Sequence, residues 1–198
     1  MKDSHVIVTE SRIRRCEQAS IQCARGNLEL IESELVNGQF GIHGDSTILI
    51  ARKNAIRDHQ FGIGGSYVQA EISENTFYGD AGGIDIQVLT DEIQILDNKF
   101  HRCGTSITLG VHDVSVLVQG NKIKDRHARS FHFRGGGTAI LKRNYLRDGD
   151  YGIYVEGEPN NRVIVVGSIN DPSDPDTNTM RYMRHSNVYP YDYVLQRN

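Results

Sequence analysis

Tryptophan is absent from the 198 residues, and there are only 4 prolines and 3 cysteines. Cys16, Cys23 and Cys103 are odd in number and too few to staple a disulfide scaffold, so reduced thiols or at most one incidental bridge are expected, and the fold must rest on its own core. No apolar run approaches the roughly 18 residues a membrane span needs, and the first residues lack the basic and apolar pattern of a secretory leader. A soluble chain with no membrane partner is expected, its compartment left open. An excess of positive charge is missing as well: 22 Lys and Arg against 25 Asp and Glu give a net charge of −3. No nucleic acid is expected as a partner of the whole protein, although charge can still be segregated by face.

What the chain does have is glycine, 20 residues of it, and one short pattern that recurs throughout. The clearest copies read AEISENTF, IQILDNKF, VLVQGNKI and AILKRNYL. Two apolar residues alternate, an Asn follows three residues later, and another apolar residue comes two after that. The Asn-equivalent positions are Ser11, Ser33, Asn54, Asn75, Asn98, Asn121, Asn144 and Ser168, spaced by 22, 21, 21, 23, 23, 23 and 24 residues. Periods of this length mark a solenoid.

A second landmark in each copy is a small residue followed by an apolar one, at Ile21, Ile42, Ile63, Ile84, Ile107, Phe131 and Ile153. Each copy therefore holds three short strands, and from Leu49 through Ile56 and Ile63 to Ala70 the inward residues step by seven each time. Alternation of period 2 within so short a side specifies a strand with one buried face. Stacking equal sides at the ~4.8 Å strand spacing gives three parallel sheets around a dry interior. The expected fold is all-β: a right-handed parallel β-helix of about seven to eight coils over residues 1–170. An irregular cap or interaction tail is expected over 171–198, after the Pro- and Asp-rich NDPSDPD segment. Its aspartates lack the spacing of a calcium loop, and a solvated linker is expected.

A buried corner amide can accept from one coil and donate to the next, and Asn tolerates the left-handed backbone of tight bends. This asparagine ladder resembles the repeat of the pectate-lyase-like superfamily, over Val6 to about Ile169. That resemblance is specific for fold. The superfamily holds lyases, hydrolases, epimerases, phage tailspikes and binding modules, so the resemblance alone fixes no activity. The first coil begins at Val6 without the amphipathic cap such helices carry, which leaves Val6, Val8 and Ile13 for a partner or an upstream segment to cover.

With the inward rows fixed, the outward ones form three faces. The first sheet follows the small-apolar landmark and gathers His43, Asp45, Asp85, Gln87, His132, Arg134, Tyr154 and Glu156. The resemblance implies that this sheet lines a substrate groove. The set would then serve β-elimination or C5 epimerisation on a uronate: Arg134 neutralising the carboxylate, His132 taking the proton, Tyr154 protonating the leaving oxygen and Asp85 beside them. A hydrolase would need two carboxylates across the bond, and Asp85 and Glu156 stand about three coils, ~14 Å, apart. Polar residues on such a strand are otherwise what water-facing positions carry.

The second sheet has apolar residues in outward phase at Ile7, Ile31, Ile48, Ile50, Leu96, Leu117 and Ile140, and a homo-oligomer or the tyrosine-rich tail (Tyr189, Tyr191, Tyr193) would cover them. The third sheet is basic, with Arg12, Arg14, Arg57, Lys99, His101, Lys122, Lys124 and Arg147 against Glu34. Arg57, Lys99, Lys124 and Arg147 would bind an extended acidic polysaccharide, unless corner residues Asp58, Asp125 and Asp148 neutralise them. His59, His101, His112 and His127 lack metal-ligand spacing and are expected at the surface, and neither metal nor cofactor is expected. Two functions fit: an enzyme on acidic polysaccharide, or a non-catalytic carbohydrate-binding or structural module of a larger assembly such as a phage tailspike or surface protein. Short loops favour the second, since the longest insertion runs only from Ile153 to Val163. Threonine rows for ice binding are lacking.

Overall fold

The computed structural model describes residues 4–90, 92–125, 127–157 and 164–189. All regular structure there is strand, and every pairing is parallel. The long strands Glu34–Arg52, Ala55–Ser73, Thr105–Gln119 and His127–Lys142 wrap around a corner and serve two sheets each. The inward columns are those the alternation specifies. On the third sheet Ile13, Leu35, Ile56, Phe77, Phe100, Ile123, Leu146 and Met180 lie in one register. On the first sheet the column runs from Ile21 through Ile42, Ile63, Ile84, Ile107, Phe131 and Ile153 to Val188. Nearly all of these are wholly buried. At about 1.5–3 kcal/mol for each fully buried large side chain, this interior outweighs any single surface contact.

The small residue of the second landmark now has a cause. Gly83 sits against the ring of Phe100, which stacks on Phe77 with centroids 4.7 Å apart. A Cβ there would lie 2.7 Å from the Phe100 ring and 2.6 Å from the Ser106 carbonyl.

The ladder is internal and continuous. The backbone N–H groups of Asn54, Asn75, Asn98 and Asn121 each donate to the Oδ1 of the next amide along the axis, at 2.9–3.0 Å. Each Nδ2 reaches back to a carbonyl of the preceding coil, Leu30, Ala51, Ile72 and Ile95 in turn, at 2.8–2.9 Å. Two details differ from expectation. The ladder asparagines are not left-handed. That backbone belongs to the residue before each one: Glu10, Glu32, Lys53, Glu74, Asp97, Gly120 and Arg143 all have φ near +46° to +69°. The bend is thus made one residue early, and the Asn side chain satisfies the groups it exposes.

The second correction concerns the last rung, which is Asn178 and not Ser168. Asn144 N–H donates to Asn178 Oδ1 at 3.1 Å, and Asn178 Nδ2 donates to Leu141 O at 2.9 Å. The NDPSDPD segment loops out between Ser168 and Asn178. It is tied down by Asp176 with Lys142 at 3.2 Å and by the Ser168 hydroxyl on Asp174. The helix then resumes: Thr179–Arg181 pairs with Tyr145–Arg147, and Ser186–Tyr189 with the strand of Tyr154. Residues 179–189, expected within a cap or interaction tail, form the last described coil; Tyr191 and Tyr193 lie outside the described residues, as does most of the 153–163 insertion.

The second-sheet exterior also differs from expectation. Its apolar residues do face outward, but charged and polar ones separate them: Ile7, Glu29, Ile50, Glu71, Gln94 and Leu117 form a single row. A bidentate Arg52–Glu71 pair crosses the same face. In the first described strand, His5–Thr9, Val6 and Ile7 are exposed.

Candidate functional site

Register places the outward row of the first sheet as the alternation requires: Gln22, His43, Gly64, Asp85, Thr108, His132, Tyr154 and finally Tyr189. His43 and His132 are four coils apart, ~19 Å, so the expected set divides. At one end His43 packs on Phe40 with centroids 4.7 Å apart, and Asp45 accepts from Ser66 at 3.3 Å. Gln87 donates to the Gly110 carbonyl at 3.0 Å. These contacts hold each side chain locally, and none joins the others in a common site.

Farther along, the groups converge. Arg134 reaches across the Gly110 coil to Asp85, 2.8 Å from Nη2 to Oδ1. The arginine assigned to a substrate carboxylate is therefore already paired with a carboxylate of its own chain. His132 Nε2 lies 2.7 Å from Glu156 Oε2, and Arg129 Nη1 lies 3.4 Å from His132 Nδ1. A guanidinium only donates, so Nδ1 accepts and the ring proton sits on Nε2, donated to Glu156. His132 is only 8% exposed. Burial holds its pKa below the usual histidine range, with Arg129 and Arg134 acting the same way and Glu156 opposing them. His132 thus has both nitrogens engaged, and its accepting Nδ1 can take a proton only if Arg129 moves away.

Beside it stands an aromatic cluster that the outward row only partly foretold. Arg129 lies 4.0 Å from the Tyr154 ring centroid, and Tyr189 from the following coil stacks on Tyr154 at 5.2 Å with planes 12° apart. Tyr151 packs against Tyr154, Tyr189 and His185 at 5.2–5.6 Å. Extending the Tyr154 row one coil past the Pro-rich loop would have found Tyr189. Arg129 and Tyr151 stand in one register a step toward the corner, a row the repeat pattern did not single out.

The basic third sheet also divides. In its first coils Arg12 and Arg57 both bind Glu34, the latter at 2.6 Å, with Arg14 at 4.0 Å. In the later coils His101 pairs with Asp125 at 3.1 Å and Arg147 with Asp148 at 3.0 Å. Lys124 lies over the Tyr145 ring at 5.5 Å. Lys99, Lys122 and Arg181 are exposed and form no ion pair among the described residues. Around the adjacent corner lies an open depression of about 790 Å³ lined by Arg102, Asp125, Asp148, Tyr182 and Arg184.

One histidine expected at the surface is buried. His59 and Asp80 have fully buried side chains with Nδ1 3.4 Å from Oδ1, and Asp80 Oδ1 accepts the His59 backbone N–H at 2.8 Å. His59 Nε2 and Asp80 Oδ2 have no hydrogen-bond partner among the described residues. Burial raises the Asp80 pKa above the ordinary carboxylate value. No group of three or more His, Cys, Asp or Glu placed to hold a metal occurs among the described residues.

Compared with known proteins, the chain matches no curated protein and no solved structure. One family model does match, described as "Right handed beta helix region", over residues 1–132 and again over 44–170. These matches overlap as a repeat of fixed period allows, and together they span the coils from the first strand to the loop before Asn178. The chain belongs to the right-handed β-helix family.

Proposed function

We propose that this protein binds acidic polysaccharide, with its sugar-contacting surface on the first sheet around Tyr151, Tyr154 and Tyr189. The observation that carries this reading is the tyrosine cluster flanked by Arg129 and Glu156. Aromatic rings offer apolar contact to the C–H faces of sugars. The tyrosine hydroxyls, the guanidinium and the carboxylate supply the donors and acceptors that sugar hydroxyls and uronate groups require. Binding without turnover is the function the geometry supports best, because His132 has both ring nitrogens occupied and Arg134 is spent on Asp85.

A lyase or epimerase is the second reading. A histidine oriented by a carboxylate at 2.7 Å favours it, since that is how a general base is commonly held. Titrating the protein by calorimetry with alginate, polygalacturonate and a heparin-type polymer, while following the absorbance of unsaturated uronates, separates the two. Saturable binding that Tyr154→Ala weakens, with no absorbance change, is expected. Product formed by the wild type and lost in His132→Ala would replace binding with β-elimination. No binding to any of the polymers would overturn both.

A further inference from the structure

We infer that the later coils of the third sheet are a second and separate binding track for a uronate-type polysaccharide, one that carries a single anion per sugar residue. This inference accepts the polymer class proposed above but uses none of the first-sheet residues.

Two outward columns meet here. Lys99 and Lys122 are directly paired in register on adjacent coils. Two residues along the strands, His101 is paired with Lys124 and, farther down the same column, Arg147 with Arg181. This column presents a basic side chain on each of its last four described coils, at a spacing of ~4.8 Å. An extended uronan presents its carboxylates about one sugar length apart, close to that spacing. Duplex DNA carries a charge every ~1.7 Å of axis, far denser than one cation per coil, and a strip two columns wide matches one chain better than a broad cylinder.

The charge is only partly cancelled internally. On the earlier coils of this sheet a single Glu34 gathers Arg12, Arg14 and Arg57. On the later coils Asp125 faces His101 and Asp148 pairs with Arg147, both in the second column. Lys99 and Lys122 in the first column, and Arg181 at the end of the second, form no ion pair among the described residues. Tyr145 occupies the next position of the first column, after Lys122, and supplies the flat contact a pyranose ring stacks on.

The test is binding of the full chain to polygalacturonate across a salt series, with Lys99→Gln/Lys122→Gln compared with the charge-matched Arg12→Gln/Arg14→Gln. The first pair should lose affinity roughly tenfold at low salt and show a shallower salt dependence, the order expected for two lost contacts to a polyanion. The second pair should bind as the wild type does. Circular dichroism of both variants checks that the coils are intact. Equal loss in both variants, or none in the first, overturns the track. Tighter binding to duplex DNA than to the uronan overturns the ligand assignment. Tyr154→Ala distinguishes the two surfaces: if it alone abolishes binding, the first-sheet reading stands and the track falls. If it has no effect while the lysine pair does, the track stands and the tyrosine platform falls.

Discussion

Removing one rung from the middle of the ladder should cost more than any surface substitution, and the structure allows the amount to be worked out. Asn98 makes four buried hydrogen bonds. Its Oδ1 accepts from the Asn75 backbone N–H at 2.9 Å and from Asn75 Nδ2 at 3.0 Å. Its Nδ2 donates to Ile72 O at 2.8 Å and to Asn121 Oδ1 at 3.0 Å. In Asn98→Ala the Asn75 amide keeps its own bond to Ala51 O, and Asn121 Oδ1 keeps the Asn98 backbone donor, so two groups lose a partner outright: the Asn75 N–H and the Ile72 carbonyl. Each buried orphan costs about 1–3 kcal/mol, which gives roughly 2–6 kcal/mol in all. Serine should restore about half of it. At the start of the ladder Ser33 Oγ accepts the Ser11 N–H at 3.0 Å, but it donates to Ile31 O two residues back along the chain. A serine thus replaces the acceptor but does not reach the carbonyl of the preceding coil. Urea unfolding followed by far-ultraviolet circular dichroism measures both variants, provided the slope with denaturant is unchanged. A loss below about 1 kcal/mol in Asn98→Ala, or a serine variant no better than the alanine, would refute the reasoning.

Gly44→Ala should destabilise by roughly 1–3 kcal/mol, because its Cβ would stand 2.5 Å from the ring of the fully buried Tyr67; pairing it with Tyr67→Leu should recover part of the loss, seen as a coupling energy in a double-mutant cycle. Cys103, whose thiol burial pushes up to about 12, should resist a thiol reagent at neutral pH in the folded protein while the half-buried Cys16 and Cys23 react; mass spectrometry of labelled peptides reads the difference. Asp80 has its folded pKa raised by burial, so the stability it contributes is full below the unfolded carboxylate pKa and is lost as pH rises through the folded value; Asp80→Asn should flatten that part of the stability–pH profile. Glu71 runs the other way, its pKa held down chiefly by Arg52: its contribution is present above the unfolded value and lost as pH falls through the folded one, and at this exposed pair Glu71→Gln should remove no more than about 1 kcal/mol.

The interior was legible because it repeats. Leu49, Ile56, Ile63 and Ala70 are in the sequence at the spacing at which they occupy the tube, and all are buried. Seven-residue sides leave no other solution. The outward register followed from the same count, so His132, Tyr154 and Glu156 were found on one face. Three things were not legible. The loop from Ser168 to Asn178 breaks the period, which hid the final rung and with it Tyr189. Which cation meets which carboxylate depends on side chains crossing between coils, as Arg134 does in passing Gly110 to reach Asp85, and no spacing rule contains that reach. His59 was hidden by a local exchange of chemistry: at the third corner two adjacent coils turn a histidine and an aspartate inward against each other.

The division of the third sheet follows from how few carboxylates a one-residue-per-coil column can reach. A side chain on one coil contacts its own corner and the coils directly above and below, little more than ~5 Å in either direction. Glu34 stands in the same column as Arg12, with Arg57 one coil on, so one carboxylate answers several guanidinium groups. Beyond Tyr78 neither column holds an acidic residue, and the left-handed corner residues Asp125 and Asp148 reach the second column and not the first. Lys99 and Lys122 are thereby left facing each other one strand spacing apart, a like-charge contact that costs stability in water and is relieved when an anion lies between them. A column that merely kept the surface soluble would have no reason to place its two unpaired lysines on adjacent coils, where each raises the energy of the other.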